Sequence, residues 1–290
     1  MKLALLALLL AAALPAAAAE DFPSKPVRII VANSPGSSPD LVARTVGAEM
    51  AKLLGQPVIV ENKPGLDGIV GYELVAKQAP ADGYTLASVI VSGLATLPVT
   101  VKDLRFDPLQ DLPPVIGLAE GRLFVGSAAN QPWKSVAELA AHAKANPGKL
   151  NFGSSGANIR LLGEGLSRSL GLEMVHVPYN GFAPYMQGML TGEVHMGFVA
   201  EITIVTYKDR FRPLAITGDK RRAPYLDVPT FAELGYPEIP SVFFSFNVRA
   251  GTPKPIVDKL YAAASKALQA PDVKARLQKV GYDPVDQPPE

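Results

Sequence analysis

The chain has 290 residues, 48% of them hydrophobic, and its 28 basic and 27 acidic side chains leave a formal charge of +1. That length allows one large domain or two medium ones, since single cores stop growing near ~250–300 residues. The charge balance gives no general field and no clustered basic face of the kind that grips nucleic acid; the densest basic run, Lys220-Arg221-Arg222, reads as a solvated turn. Without cysteine, a disulfide, a thiol nucleophile and a lipid-modified N-terminal Cys are all excluded.

The N-terminus, MKLALLALLLAAALPAAAAE, carries one Lys, an apolar stretch and Ala17-Ala18-Ala19 before Glu20. This is the pattern of a secretory signal peptide, residues 1–19, with an A-x-A cleavage site. A membrane anchor is the other reading, but the stretch is marginal for a span, and no second one is long and apolar enough. The mature chain is expected to be soluble and exported.

Strand-like and helical stretches then alternate. VRIIVA precedes a helix from about Pro39 to Leu54, then come the strand PVIVEN, the helical GIVGYELVAKQA and the strand GYTLASVIV. RLFVGSA, the helix SVAELAAHAKAN, the strand KLNFG and a helix from about Asn158 to Leu170 follow. EMVHVPYN, VHMGFVA and RPLAITG read as strands, with the helical APYMQGMLTG after the first of them. Such interleaving predicts an α/β protein with mainly parallel sheets, whose ligands sit beyond the carboxyl ends of the strands. The 27 Pro and 25 Gly are spread through the chain as turns. The closing PPE resembles a helix start with no helix after it, as in a chain that stops short of its natural end.

Two strand-to-helix loops stand out. In ANSPGSSPD, Ser38 suits an N-cap, Pro39 the first helical position and Asp40 the first turn, with Gly36 relaxing the backbone before them. The loop either caps its helix or offers free N–H groups to an anion, and Asp40 counts against an anion placed close to it. In NFGSSGANIRLLGEGL, Ser154, Ser155 and Gly156 supply hydroxyls and backbone N–H groups, Asn158 a cap and Arg160 a cation. Ordinary turn chemistry explains each loop singly, whereas two such loops together suit a ligand with two acidic groups, one per loop. Tyr179 and Asn180 end another strand, and the Tyr179 ring either lines a cleft or packs in the core. Ser92, with Gly93, lies at a third strand end.

The stretches FPSKPVRIIV, LGQPVIVENKPGLDGIVG, ADGYTLA, SVAELAAHAKANPGKLNFGSSG, VHVPYNGFAPYMQGMLTGEV, LAITGDKR, LDVPTFAELGYPE and AGTPKPIVDKL carry a resemblance over essentially the whole mature chain. Together they resemble the periplasmic solute-binding proteins of tripartite tricarboxylate transporters, the Bug (TctC-like) family. The resemblance implies a two-domain, type II periplasmic-binding-protein-like fold with a hinge and an interdomain cleft that closes on the ligand. It implies residues 20–121 plus 243–290 in one domain and 122–242 in the other. It further implies a small carboxylate ligand (a di- or tricarboxylate, an acidic amino acid or an aromatic acid), integral membrane transporter subunits as partners, a monomer, no cofactor and no metal. Asn33, Ser34, Gly36, Ser37, Ser38 and Asp40 would form one carboxylate grip, and Ser154, Ser155, Gly156 and Arg160 the other, with Ser92, Tyr179 and Asn180 beside them.

Departures cluster at the cleft. The family's first loop usually reads Pro-Phe-Pro-Pro-Gly-Gly, where this chain has Ala32-Asn33-Ser34-Pro35-Gly36-Ser37. The usual Gly and His-Leu pair after the second loop are missing, with Arg160 or Leu161 near that place. Val199 and Ala200 replace a polar pair, and Glu201 either takes over that role or faces solvent. Phe243, Phe244 and Phe246 read as hinge or core packing. A catalytic reading finds little: there is no H-E-x-x-H, no G-x-S-x-G and no phosphate loop, and no His is evidently placed to activate the Ser of FGSSG. A secreted serine hydrolase and a receptor reporting to a signalling kinase are the alternatives to a transport receptor.

Overall fold

The computed structural model describes residues 22–236 and 239–288. The signal segment and the terminal Pro289-Glu290 lie outside the described residues. The fold is a mixed α/β, two-domain arrangement built on two main sheets. The first holds β1 (Val27–Val31), β2 (Val58–Asn62), β3 (Thr85–Ile90), β4 (Pro114–Gly121), β10 (Val242–Val248) and β11 (Tyr282–Gln287), in the order β11-β4-β10-β3-β1-β2. The second holds β5 (Leu123–Ala128), β8 (Gly197–Ala200) and β9 (Phe211–Ile216), in the order β8-β5-β9. A parallel pair, β6 (Asn151–Ser154) and β7 (Val175–Pro178), joins it through a bridge from Phe152 to Met196.

The sheets are less parallel than the alternation predicted. Only β1–β2, β1–β3 and β6–β7 run parallel; β10 is antiparallel to β3 and β4, β11 to β4, and β5 to β8 and β9. The reason is connectivity. β10 brings the chain back from the second sheet and enters the first against the direction of β3, so two strands distant in sequence share the core of one sheet.

Helix α1 (Ser38–Leu54) buries Val42, Val46 and Met50, spaced one turn apart, beneath β1. It also packs on α9 (Lys254–Gln269), which follows β10, so the C-terminal part of the chain completes the core begun by its N-terminal part. The stretch predicted as one helix after β2 is a 3₁₀ turn (Leu66–Gly68), a short α2 (Ile69–Glu73) and a π turn (Leu74–Gln78). Helix α3 (Val91–Thr100) takes over where the strand GYTLASVIV was expected to continue; VSGLATLPVT is apolar throughout, which hides its helical period.

The chain passes between the sheets at two places, which lie side by side. The outward crossing is Gly121–Leu123, where β4 runs straight into β5. The return crossing follows β9, beginning at Thr217, and leads to β10. Arg122 clasps them: its Nη1 donates to the Thr217 carbonyl at 2.8 Å, while the Leu123 amide donates to Thr217 Oγ1 at 2.9 Å. Gly218, at φ +97°, leaves the room the guanidinium needs, since a Cβ there would fall 0.9 Å from Arg122 Nη1. A second tie contradicts the reading of Lys220-Arg221-Arg222 as a solvated turn. Arg222 is drawn inward, with Nη1 2.5 Å from Asp283 Oδ2 on β11 and Nε 3.7 Å from buried Glu201.

Gly218→Ala is expected to lower stability by at least about 1–3 kcal/mol from backbone strain, before any displacement of Arg122. Gly165→Ala on α6 (Ala157–Ser169), where a Cβ meets nothing within 4 Å, should gain about 0.5–1 kcal/mol. Thermal melts of the two variants check both, and an unchanged midpoint for Gly218→Ala would contradict the clasp.

Candidate functional site

A cavity of about 280 Å³ lies between the two sheets, at the carboxyl ends of β1, β2, β3 and β8. Its polar edge is built first by the loop Ala32–Ser37, and buried Asp40 fixes that loop. The Asp40 carboxylate accepts the Gly36 amide at 2.9 Å, Asn62 Nδ2 at 2.9 Å and Arg44 Nε at 3.1 Å, and Asn62 Nδ2 also donates to the Asn33 carbonyl at 3.0 Å. Burial works against the Asp40 charge, but Arg44, the Gly36 N–H and Asn62 outweigh it and hold its carboxyl below the usual range. Asp40 therefore positions the loop and does not line the cavity; Asn33, Ser34, Gly36, Ser37 and Ser38 do.

The N-cap of α1 is Ser37, one residue before the expected Ser38, and its side chain makes no capping bond. Ser37 Oγ is buried without a partner. Ser38 Oγ instead accepts the hydroxyl of Tyr282, a fully buried ring whose pKa burial pushes up to about 12, with Ser38 pulling the other way. β11 thus reaches under the first loop from the far end of the chain.

The second loop follows β6. Ser155, Gly156 and Asn158 line the cavity, and Gly156 rather than Asn158 caps α6. The Ala157 amide at that helix start donates to Asp67 Oδ1, from the loop after β2, at 3.2 Å. Two residues placed in this grip by sequence reasoning point elsewhere. Ser154 is buried and turned to a neighbouring depression, where its Oγ lies 2.7 Å from His176 Nε2. Arg160 lines that same depression and pairs with Glu164 at 2.7 Å. A His is therefore beside this Ser after all. Parallel pairing of β6 and β7 sets Phe152 opposite His176, so Ser154, two residues on, shares its face. Burial, and then Arg160, lower the His176 pKa against the pull of Glu164.

The other walls come from α3, α7 (Phe182–Thr191), β8 and α8 (Glu201–Thr206). Ile90 and Gly93 line the cavity, but Ser92, inside α3, does not. Asn180 and Tyr179 line it, with the Tyr179 hydroxyl buried against Gly188 of α7 and near Glu193. Burial, then the nearby Glu193, raise its pKa. Glu201 neither lines the cavity nor faces solvent: it is buried, its pKa is raised by that burial, and Arg222 opposes the shift. Thr203, one turn into α8, does reach the cavity, with Oγ1 buried and unpartnered. Phe244, read as core, forms part of the wall. Sequence reasoning missed Asp67, Thr203 and Phe182. The GLDG turn at the end of β2 was the available signal for the first; nothing local marked the other two.

Three lining residues, Asn33, Ser37 and Thr203, carry buried polar atoms without partners, and the two hydroxyls among them suit a bound acceptor. Among the described residues, none of the lining side chains is Lys, Arg or His, and no His, Cys, Asp and Glu cluster is placed to hold a metal. The arrangement suits non-covalent capture of a small molecule through helix-start amides and hydroxyls.

Known proteins share this architecture. Residues 42–289 match the family model described as tripartite tricarboxylate transporter family receptor. A Cupriavidus necator relative, "UPF0065 protein in gbd 5'region", is 38% identical over 94% of this chain and 84% of its own. Among solved structures, one described as a periplasmic transporter has a TM-score of 0.86 at 36% identity, covering 92% of this chain and 91% of that one. A Rhodopseudomonas palustris protein with adipate has 0.84 at 30%, covering 91% and 90%. MatC from the same organism, with bound malate, has 0.82 at 30%, covering 90% of each.

Asp40→Asn is expected to loosen the first loop and cost about 1–3 kcal/mol at neutral pH, as its partners lose a charged acceptor. Because the folded carboxyl titrates below its ordinary 3.8, this contribution is fully present above that pH and fades as pH falls through the lowered folded value. Denaturant titrations of both proteins across that range check it. A gap between wild type and variant that widens with acid would contradict the assignment.

Proposed function

This chain belongs to the tripartite tricarboxylate transporter receptor family, and from that premise we propose that it captures a small organic acid in the periplasm and presents it to integral membrane transporter subunits. The observation that carries the reading is the cavity between the sheets, where two helix-start loops meet around buried, unpartnered hydroxyls. The relatives with malate and adipate support an acid as the ligand class. Sheet membership supports one lobe of residues 20–121 plus 243–290 and another of 122–242.

Capture follows from the geometry. A carboxylate entering the cavity meets the start of α1, where Ser38 and Asp40 but not Pro39 carry first-turn amides, and the Ser37 hydroxyl beside them. Thr203, on the opposite wall, donates from the second lobe. A ligand held by both walls favours the closed arrangement by as much as it binds that arrangement better. Closure would bend the backbone at the crossings between the sheets, which Arg122 and Thr217 hold side by side. No step requires a covalent bond, and the Ser154–His176 pair lies outside the cavity. Turnover of a generic ester, lost in Ser154→Ala, would instead favour a hydrolase.

A thermal-shift screen of residues 20 onward, unfolded and refolded to strip carried ligand, tests the proposal against acids and their neutral amides. A matching acid at ~100 times its dissociation constant should add ~2.7 kcal/mol, and its amide much less. Response only to neutral compounds would contradict it. Thr203→Val should leave the stripped protein as stable or slightly more so, since an unpartnered hydroxyl is removed, while weakening the acid by about tenfold. Unchanged affinity in that variant would remove Thr203 from the site.

A further inference from the structure

The second grip is already occupied by the chain itself. Asp67 lies on the first lobe, in the 3₁₀ turn after β2, yet its Oδ1 reaches across the cleft to the Ala157 amide at the start of α6. A Cβ built on Gly156 would sit 3.5 Å from the same oxygen, so the carboxylate covers the helix start from the cavity side. The turn is held in a conformation that L residues seldom adopt: Leu66 at φ +48° and Asp67 at φ +56°, in succession. Such strain persists where the surroundings impose it, commonly at ligand-binding sites.

Resting on the acid-receptor reading, we propose that Asp67 serves as a built-in carboxylate on the second helix start, so that this receptor takes monocarboxylates with an apolar body and disfavours dicarboxylates. Among the lining hydroxyls, those of Ser37 and Thr203 (the latter 2% exposed) have buried oxygens without partners and are the donors assigned to the ligand carboxylate. The walls also carry a set of large apolar side chains, Ile90, Leu123, Phe182, Phe198, Val199 and Phe244, interleaved with the neutral Asn33, Asn158 and Asn180. Asp67 is the one charged residue among the described lining residues. A second carboxylate on the ligand would face that like charge and would have to displace Asp67 from its amide, while Arg160, in the neighbouring depression that Asp67 also borders, is paired with Glu164. An aliphatic or aromatic tail meets no such cost.

Calorimetric titration of stripped protein with straight-chain mono- and dicarboxylates of matched length, hexanoate and adipate among them, tests this in wild type and in Asp67→Gly. Glycine suits the positive φ, so the variant keeps the turn; Asp67→Asn, also tolerant of that region, serves if it does not. Wild type is expected to prefer the monoacid of each pair by about tenfold or more, and the variant to lose about that factor of preference as the helix start becomes free. Equal or tighter binding of the diacid by wild type, or a preference unchanged in both variants, overturns the role of Asp67 while leaving the acid receptor standing. Binding of no acid by any of the proteins overturns both.

Discussion

The structure depends on a clasp. Two stretches far apart in sequence, Gly121–Leu123 and the start of the return crossing, are held together by Arg122 on the Thr217 carbonyl. Everything that makes a cleft possible follows from it. One buried cluster runs from Phe244 and Tyr282 of the first sheet to Val125, Phe198 and Leu214 of the second, while Phe124 and Tyr185 belong to a separate cluster in the second lobe. Two unpaired lobes would drift apart, while a broad interface would lock them. With the Arg222–Asp283 tie beside it, the clasp holds the crossings, and on the cavity side the lobes meet through the Asp67 bond to the Ala157 amide.

The site is largely a matter of backbone. Helix starts, not cations, face the cavity, and the buried charge nearest to them, Asp40, is spent on organising the first loop. Such a design discriminates weakly by charge count alone and strongly by which amides remain free. That is why Asp67 matters: one carboxylate of the protein's own changes the number of open positions without altering a single wall.

The fold class was legible because it rests on local signals. The Ser38–Leu54 period, the β1 apolar run and the two small polar loops each announce themselves over a few residues. The sheet directions were not legible, because the antiparallel placement of β10 depends on a pairing with β3 across about half the chain. The site followed the same divide. Asn33, Ser37, Ser155 and Tyr179 stand at strand ends and line the cavity. Ser154 and Arg160, one or a few residues away, face the other side, since strand alternation and helix phase reverse direction within that distance. Thr203 entered only through the packing of α8 against the cavity, and Asp67 only through a contact spanning 90 positions.

The most direct test is a crystal structure of the mature chain with the acid that most stabilises it. The account predicts one ligand carboxylate within hydrogen-bond reach of Ser37 and Thr203, at the start of α1, with the lobes closed over it. A ligand seated in the Ser154–His176 depression, or one with no anionic group at the α1 start, would contradict it.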